Sequence, residues 1–244
     1  MNYNNSYRPG RFLGLPVVTK NIIIISVLLF AASQILLNAH VIDLYDYLGL
    51  HYYLAPAFKP HQFVTYIFMH GSVMHIFFNM FGLYMFGQVL EDVWGPKRYL
   101  IFFVVTGMGA ALAQYLIMHM EISPAIEQMN LAISQSKDAA EKTYLIEEKY
   151  YQLEQLNQNV IVGASGSLFG LLGAFGMLFP NQLLYVYFLI PIKAKWMVII
   201  YGALELLMGL NNNPGDNVAH FAHIGGLVVG VVLVLIWKRN RYNS

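Results

Sequence analysis

Ser165 stands between small residues in Gly163-Ala164-Ser165-Gly166-Ser167-Leu168-Phe169-Gly170, at the mouth of an apolar run that continues to Phe179. A serine hydroxyl is a weak nucleophile until a base takes its proton. The candidate base is His223, in His220-Phe221-Ala222-His223-Ile224-Gly225-Gly226. A second polar pair, His75 and Asn79, lies in an apolar stretch and shares a helical face by its spacing of four. Both side chains carry N–H donors that could point at a developing oxyanion. Polar groups at such depth cost free energy unless they find partners, and helix-to-helix hydrogen bonding would also satisfy them.

These residues act together only if their segments pack closely. Gly166, Gly170, Gly173 and Gly176 recur every three or four residues, a spacing expected to put them on one helical face. Gly226 and Gly230 repeat the pattern after His223. In a bilayer such stripes let two backbones approach, and that approach would carry Ser165 towards His223. Ser167 lies about 200° around the helix from Ser165 and should point elsewhere.

Other groups compete for attention. His70 with His75, and His220 with His223, invite a zinc reading, but there is no HExxH and only Asp216 is a nearby outer carboxylate. No metal is therefore expected. Glu205 lies inside an apolar segment and should face the bundle interior or a wet cavity. Its role could be packing or gating. With no aspartate well placed as a third member, a Ser165–His223 dyad is the economical reading. His40, His51, His61 and His119 read as interfacial, and Glu91-Asp92 with Lys97-Arg98 as an ion-paired turn around Gly95-Pro96.

Composition says where these segments live. The 244 residues are 57% hydrophobic and only 11% charged, with a mean hydropathy of +0.52, whereas soluble domains carry about 25% charged residues. The expected fold is an all-α polytopic membrane bundle of six spans, near 21–39, 63–90, 98–119, 165–180, 196–211 and 219–237. The fourth and fifth are short for the ~20 residues that cross a bilayer, so they should begin or end below the membrane surface. The net charge of +1 names no partner, and no basic stripe with interleaved aromatics points to nucleic acid. The absence of cysteine excludes a disulfide, a thiolate metal site and a cysteine nucleophile. Oligomeric state is not readable.

The organisation expected is a segment 1–20, a membrane domain 21–237 and a tail 238–244. The apolar run from Ile22 to Leu37 reads as a retained first span, since Asn38-Ala39-His40 offers no small-x-small cleavage site. Ten lysines and arginines, from Arg8 to Arg241, gather on the side shared by the termini. Lys59, Lys137, Lys142 and Lys149 lie on the other. The positive-inside bias puts both termini in the cytoplasm. Ser165 and His223 then open their spans near the outer face. The hydrophilic block 121–159 becomes an extracytoplasmic helical insertion between the third and fourth spans. Ser123-Pro124 reads as a helix start there and Asp138 as a cap with capping-box spacing to Glu141.

His75-Ile76-Phe77-Phe78-Asn79, Gly163-Ala164-Ser165-Gly166 and Ala222-His223-Ile224-Gly225-Gly226, in this order on spans two, four and six, resemble the rhomboid family of intramembrane serine proteases. The resemblance runs from about Lys20 to Trp237. It implies a serine endopeptidase that cuts transmembrane substrate proteins near the outer membrane face without a cofactor. Ser165 would be the nucleophile and His223 the base. His75, Asn79 and the Ser165 backbone N–H would form the oxyanion hole. A multi-pass protein of a bacterial inner membrane is the matching location. Two features depart from the commoner pattern. Phe169 stands where some members carry a tyrosine that packs on the histidine, so its orientation would rest on stacking alone, and the 121–159 insertion is long. A catalytically silent binder of transmembrane clients, and a small proton-coupled transporter, are the alternatives; the first usually lacks the serine or histidine, the second more often shows repeated halves.

Overall fold

The computed structural model describes residues 14–186, 190–211 and 218–242. Arg8 and Asp216, named above, lie outside the described residues.

Helix α1 (Val17–Asn38) buries Thr19, Ile22, Ser26 and Ser33. Its larger residues, Leu28 and Ile35 among them, face outwards. A helix with small polar groups inside and leucine outside is inverted relative to a water-soluble one, and it suits a bilayer, where small residues mediate helix contacts. Short helices α2 (Leu44–Leu48) and α3 (Gln62–Thr65) follow. Helix α4 (Val73–Gly82) runs through a π-turn, Leu83–Gly87, into α5 (Gln88–Trp94). Next come α6 (Pro96–Gln135), α7 (Ala139–Gln155) and α8 (Ser165–Leu178). A hairpin of β1 (Leu183–Val186) and β2 (Ile190–Lys193) leads to α9 (Ala194–Asn211) and α10 (His220–Tyr242).

Among the described residues, five helices are long and apolar enough to cross a membrane: Val17–Asn38, Val73–Trp94, Pro96–Gln135, Ala194–Asn211 and His220–Arg239. The sixth apolar helix, α8, has only 14 residues, about 21 Å at 1.5 Å per residue. Nine of its residues are buried, because α4, α6, α9 and α10 all pack around it. A helix enclosed by protein does not have to match the bilayer. This mostly helical bundle is the polytopic fold expected from the sequence.

One element beyond the helices is an antiparallel hairpin in which Leu183 pairs with Lys193 and Val186 with Ile190; four-residue apolar runs carry no period that separates strand from helix. Four local expectations are corrected. The second span begins at Val73, not near residue 63, because Met69 to Ser72 is non-helical and the Ser72 hydroxyl caps α4 by accepting from the His75 N–H at 3.1 Å. Pro124 does not start a helix; it lies inside α6. The carbonyl of Met120, which loses its partner there, belongs to an exposed residue, so the helix continues. Glu91 is not part of an ion-paired turn. It is buried, and its carboxylate accepts from Val18 N, Thr19 N and Thr19 Oγ1 at 2.7–2.9 Å, satisfying the free N–H groups at the start of α1. His51 is fully buried rather than interfacial; its backbone N–H donates to Gln62 Oε1 at 3.3 Å and its carbonyl accepts from Tyr115.

Helix α6 carries 40 residues, about 60 Å, twice the ~30 Å hydrocarbon core. Its distal part and α7 form the helical hairpin of the insertion. Asp138 caps α7 through Ala140 N at 2.8 Å, while Glu141 accepts from Ser136 Oγ at 2.7 Å instead of closing a capping box.

Candidate active site

The segment that delivers Ser165 is pinned before its helix begins. Leu50 and Ile161 exchange both backbone hydrogen bonds at 2.9 Å, and Gly163 N donates to Tyr66 O at 3.0 Å. Gly163 turns with φ +122°, in the region that favours glycine. A Cβ there would lie 2.6 Å from His75 Nε2 and 3.5 Å from Asn79 Nδ2. Thus His75 and Asn79 of α4 stand over the turn that feeds Ser165. Asn79 is buried, and its Nδ2 has no hydrogen-bond partner among the described residues.

Ser165 is the first residue of α8. The first bond of that helix runs from Leu168 N to Ala164 O at 2.9 Å, so the N–H groups of Ser165, Gly166 and Ser167 precede the ladder. The positive end of the helix dipole therefore lies at the serine. Ser167 faces away: it is buried and donates to Phe103 O at 2.8 Å.

His223 comes from α10, which packs against α8 more closely than side chains would allow. A Cβ on Gly226 would overlap the Gly166 carbonyl, and one on Gly230 would lie 2.7 Å from Gly170 Cα and O. The glycines of α8 do not form the single face expected of them. Cβ atoms on Gly166 and Gly170 would meet Ala110 and Thr106 of α6, on Gly173 Leu227 of α10, and on Gly176 Val198 of α9. Over ten residues the helical phase drifts far enough to serve three neighbours.

This approach brings His223 Nε2 to 2.7 Å from Ser165 Oγ. Phe169 stacks on the imidazole with centroids 4.5 Å apart and planes 7° from parallel. On the far edge of the ring, Glu205 Oε2 of α9 lies 3.0 Å from His223 Nδ1 and 2.6 Å from His220 Nδ1. The His220 contact is an aligned hydrogen bond. The His223 contact has the distance but not the alignment, and Nδ1 makes no hydrogen bond among the described residues. A carboxylate thus faces the edge of the His223 ring opposite Ser165. Ligand atoms of Glu205, His220 and His223 fall within 4.8 Å of one another, a spacing that could admit a metal ion; as they stand, one carboxylate oxygen serves both imidazoles directly.

Glu205 and His220 are the members that sequence reasoning left unassigned. A lone carboxylate in an apolar span was the available signal, together with the i, i+3 histidines. His70 joins the rim differently. It lies in the linker before α4, its ring centroid 5.2 Å from that of His75. Burial, with His75 beside it, pushes its imidazole down to about 4, so it is neutral near pH 7.

The fold and this partly buried polar cluster define an integral membrane protein, a polytopic helical bundle with a hydroxyl, imidazoles, an amide and a carboxylate gathered where the spans meet. The Rhomboid domain family matches residues 57–240, and the chain belongs to it. Similar proteins include "RHOMBOID-like protein 12, mitochondrial" of Arabidopsis thaliana, 25% identical over 183 residues, covering 75% of this chain and 47% of that protein. "RHOMBOID-like protein 6, mitochondrial" of the same plant is 27% identical over 176 residues, covering 72% of this chain and 43% of that protein. "Putative rhomboid protease YdcA" of Bacillus subtilis (strain 168) is 27% identical over 186 residues, covering 74% of this chain and 70% of that protein. The chain spans less than half the length of the two plant relatives.

Proposed function

We propose that this protein is an intramembrane serine endopeptidase that cleaves transmembrane proteins near the outer membrane face. One observation carries the reading: Ser165 Oγ and His223 Nε2 are 2.7 Å apart, at a helix N-terminus inside a rhomboid-family bundle. Nε2 takes the hydroxyl proton as Oγ attacks the scissile carbonyl. The developing oxyanion is met by the Ser165 N–H and by N–H donors of His75 and Asn79, with Asn79 Nδ2 free of any partner among the described residues. The imidazolium returns its proton to the leaving amine, and water then releases the acyl group through the same base. Ser165 and His223 are the catalytic residues in this account, and no cofactor takes part.

Family membership supports transmembrane proteins as the substrate class. The basic-residue asymmetry supports cytoplasmic termini, so the arm 121–159 and the site lie on the outer side. A fluorophosphonate probe tests the reading. The purified protein should form one covalent adduct, mapped by mass spectrometry to Ser165 and absent from His223→Ala. An adduct elsewhere, or none from a folded protein, overturns it.

A further inference from the structure

We propose that Glu205 is the positioning residue of His223, and that His220 holds Glu205 for that task. This rests on the Ser165–His223 reading above and adds a third and fourth member to it.

Stacking leaves part of the His223 geometry undetermined. Phe169 lies parallel to the His223 ring at 4.5 Å, which fixes the plane of the imidazole. Stacking is indifferent to rotation within that plane and to which nitrogen carries the proton. General-base chemistry is not: Nε2, 2.7 Å from Ser165 Oγ, has to be the bare acceptor, so the proton has to sit on Nδ1. An acceptor facing Nδ1 favours that tautomer. Glu205 Oε2 stands 3.0 Å away.

The carboxylate is itself held. His220 Nδ1 donates to the same Oε2 at 2.6 Å, and the His220 and His223 rings meet edge to face with centroids 6.5 Å apart. Two N–H groups converge on one oxygen, so the His223 contact is the longer and less aligned of the two. When Nε2 takes the serine proton, the positive charge formed on His223 lies beside the carboxylate. The proton on Nδ1 stays there and Glu205 remains ionised. The bonds that change are Oγ–H, which breaks, and Nε2–H, which forms. A carboxylate inside a span is expensive unless partnered, and these two imidazoles are the partners.

The test uses the full-length protein in proteoliposomes with a reporter transmembrane substrate. Glu205→Gln keeps the shape and removes the charge. It should lower kcat by roughly 10- to 100-fold, less than the ~10⁴ seen when the carboxylate of a soluble triad is neutralised, because the contact here is shared. KM should stay within about twofold, since the interaction is absent from substrate binding. Glu205→Asp, which keeps the charge at longer reach, should retain more activity than Glu205→Gln. In [15N]histidine NMR the His223 signal, assigned by its loss in His223→Gln, should show the Nδ1–H tautomer and become a mixture in Glu205→Gln. The NMR arm reads orientation even if a variant is too unstable for kinetics. An unchanged tautomer, an unchanged kcat, or a change confined to KM overturns the proposal. Ser165→Ala in the same assay separates the two levels. Cleavage by Ser165→Ala sinks the protease reading, whereas an inactive Ser165→Ala beside a fully active Glu205→Gln sinks only the role of Glu205.

Discussion

Gly226→Ala should disable the site without touching it. A Cβ on Gly226 would overlap the Gly166 carbonyl, which belongs to backbone and cannot rotate aside. One turn further along, a Cβ on Gly230 would stand 2.7 Å from Gly170 Cα, about 0.7 Å inside the 3.4 Å at which ordinary contact begins. At Gly226 the required separation of α10 from α8 is larger, of order 1 Å. Ser165 adjoins Gly166, and His223 lies three residues before Gly226. The same displacement therefore lengthens the 2.7 Å Ser165–His223 contact past the ~3.2 Å reach of general-base transfer. A misplacement of about 1 Å costs roughly 10²-fold in rate, and overpacking costs about 1–3 kcal/mol in stability. The assay is reporter-substrate cleavage and fluorophosphonate labelling, with thermal unfolding of each variant. Gly230→Ala should be intermediate. Gly71→Ala, whose Cβ would find its nearest neighbour, Val162 Cγ2, 3.9 Å away, should behave as wild type. Wild-type cleavage by a folded Gly226→Ala would refute the claim that glycine contact sets the dyad.

Asn79→Ala should slow cleavage by less than His75→Ala, because His75 also packs against His70 and the Gly163 turn; equal rates, or the reverse order in matched folded samples, would remove that ranking. Replacing residues 125–157 of the arm with a flexible linker should leave serine labelling detectable, since the dyad draws only on α8 and α10; complete loss in an inserted protein would make the arm part of the site. Reporter fusions at Gln135 and at the C-terminus should read outside and inside respectively, and either opposite result would invert the proposed orientation.

The membrane fold was legible because a bilayer makes its demands on composition. Apolar runs near 20 residues mark spans, and Gly226 and Gly230 announced a close helix contact that α10 makes with α8. The short fourth span was visible too, since Ser165–Leu178 is bounded by Gly163 and Phe179. What escaped was set by neighbours, not by local pattern. Glu91 looks like any acidic residue beside a lysine-arginine pair, and only the fold brings the start of α1 against it. Gln62 reads as a loop residue, yet it is buried and bonds His51 N, Lys59 N, Asp46 O and Ala57 O, organising the loop that pairs with Ile161. Glu205 stood out as a buried charge, but its partners lie on the next helix, and no spacing rule sets the register of α9 against α10.

The most direct test is cleavage in the bilayer itself. Purified protein is reconstituted with a reporter transmembrane substrate in vesicles of defined lipid, and products are followed by mass spectrometry for wild type, Ser165→Ala and Ser167→Ala. Wild type and Ser167→Ala should release the same fragments, and Ser165→Ala none, while all three insert. Fragments from Ser165→Ala matching those of wild type would contradict the account.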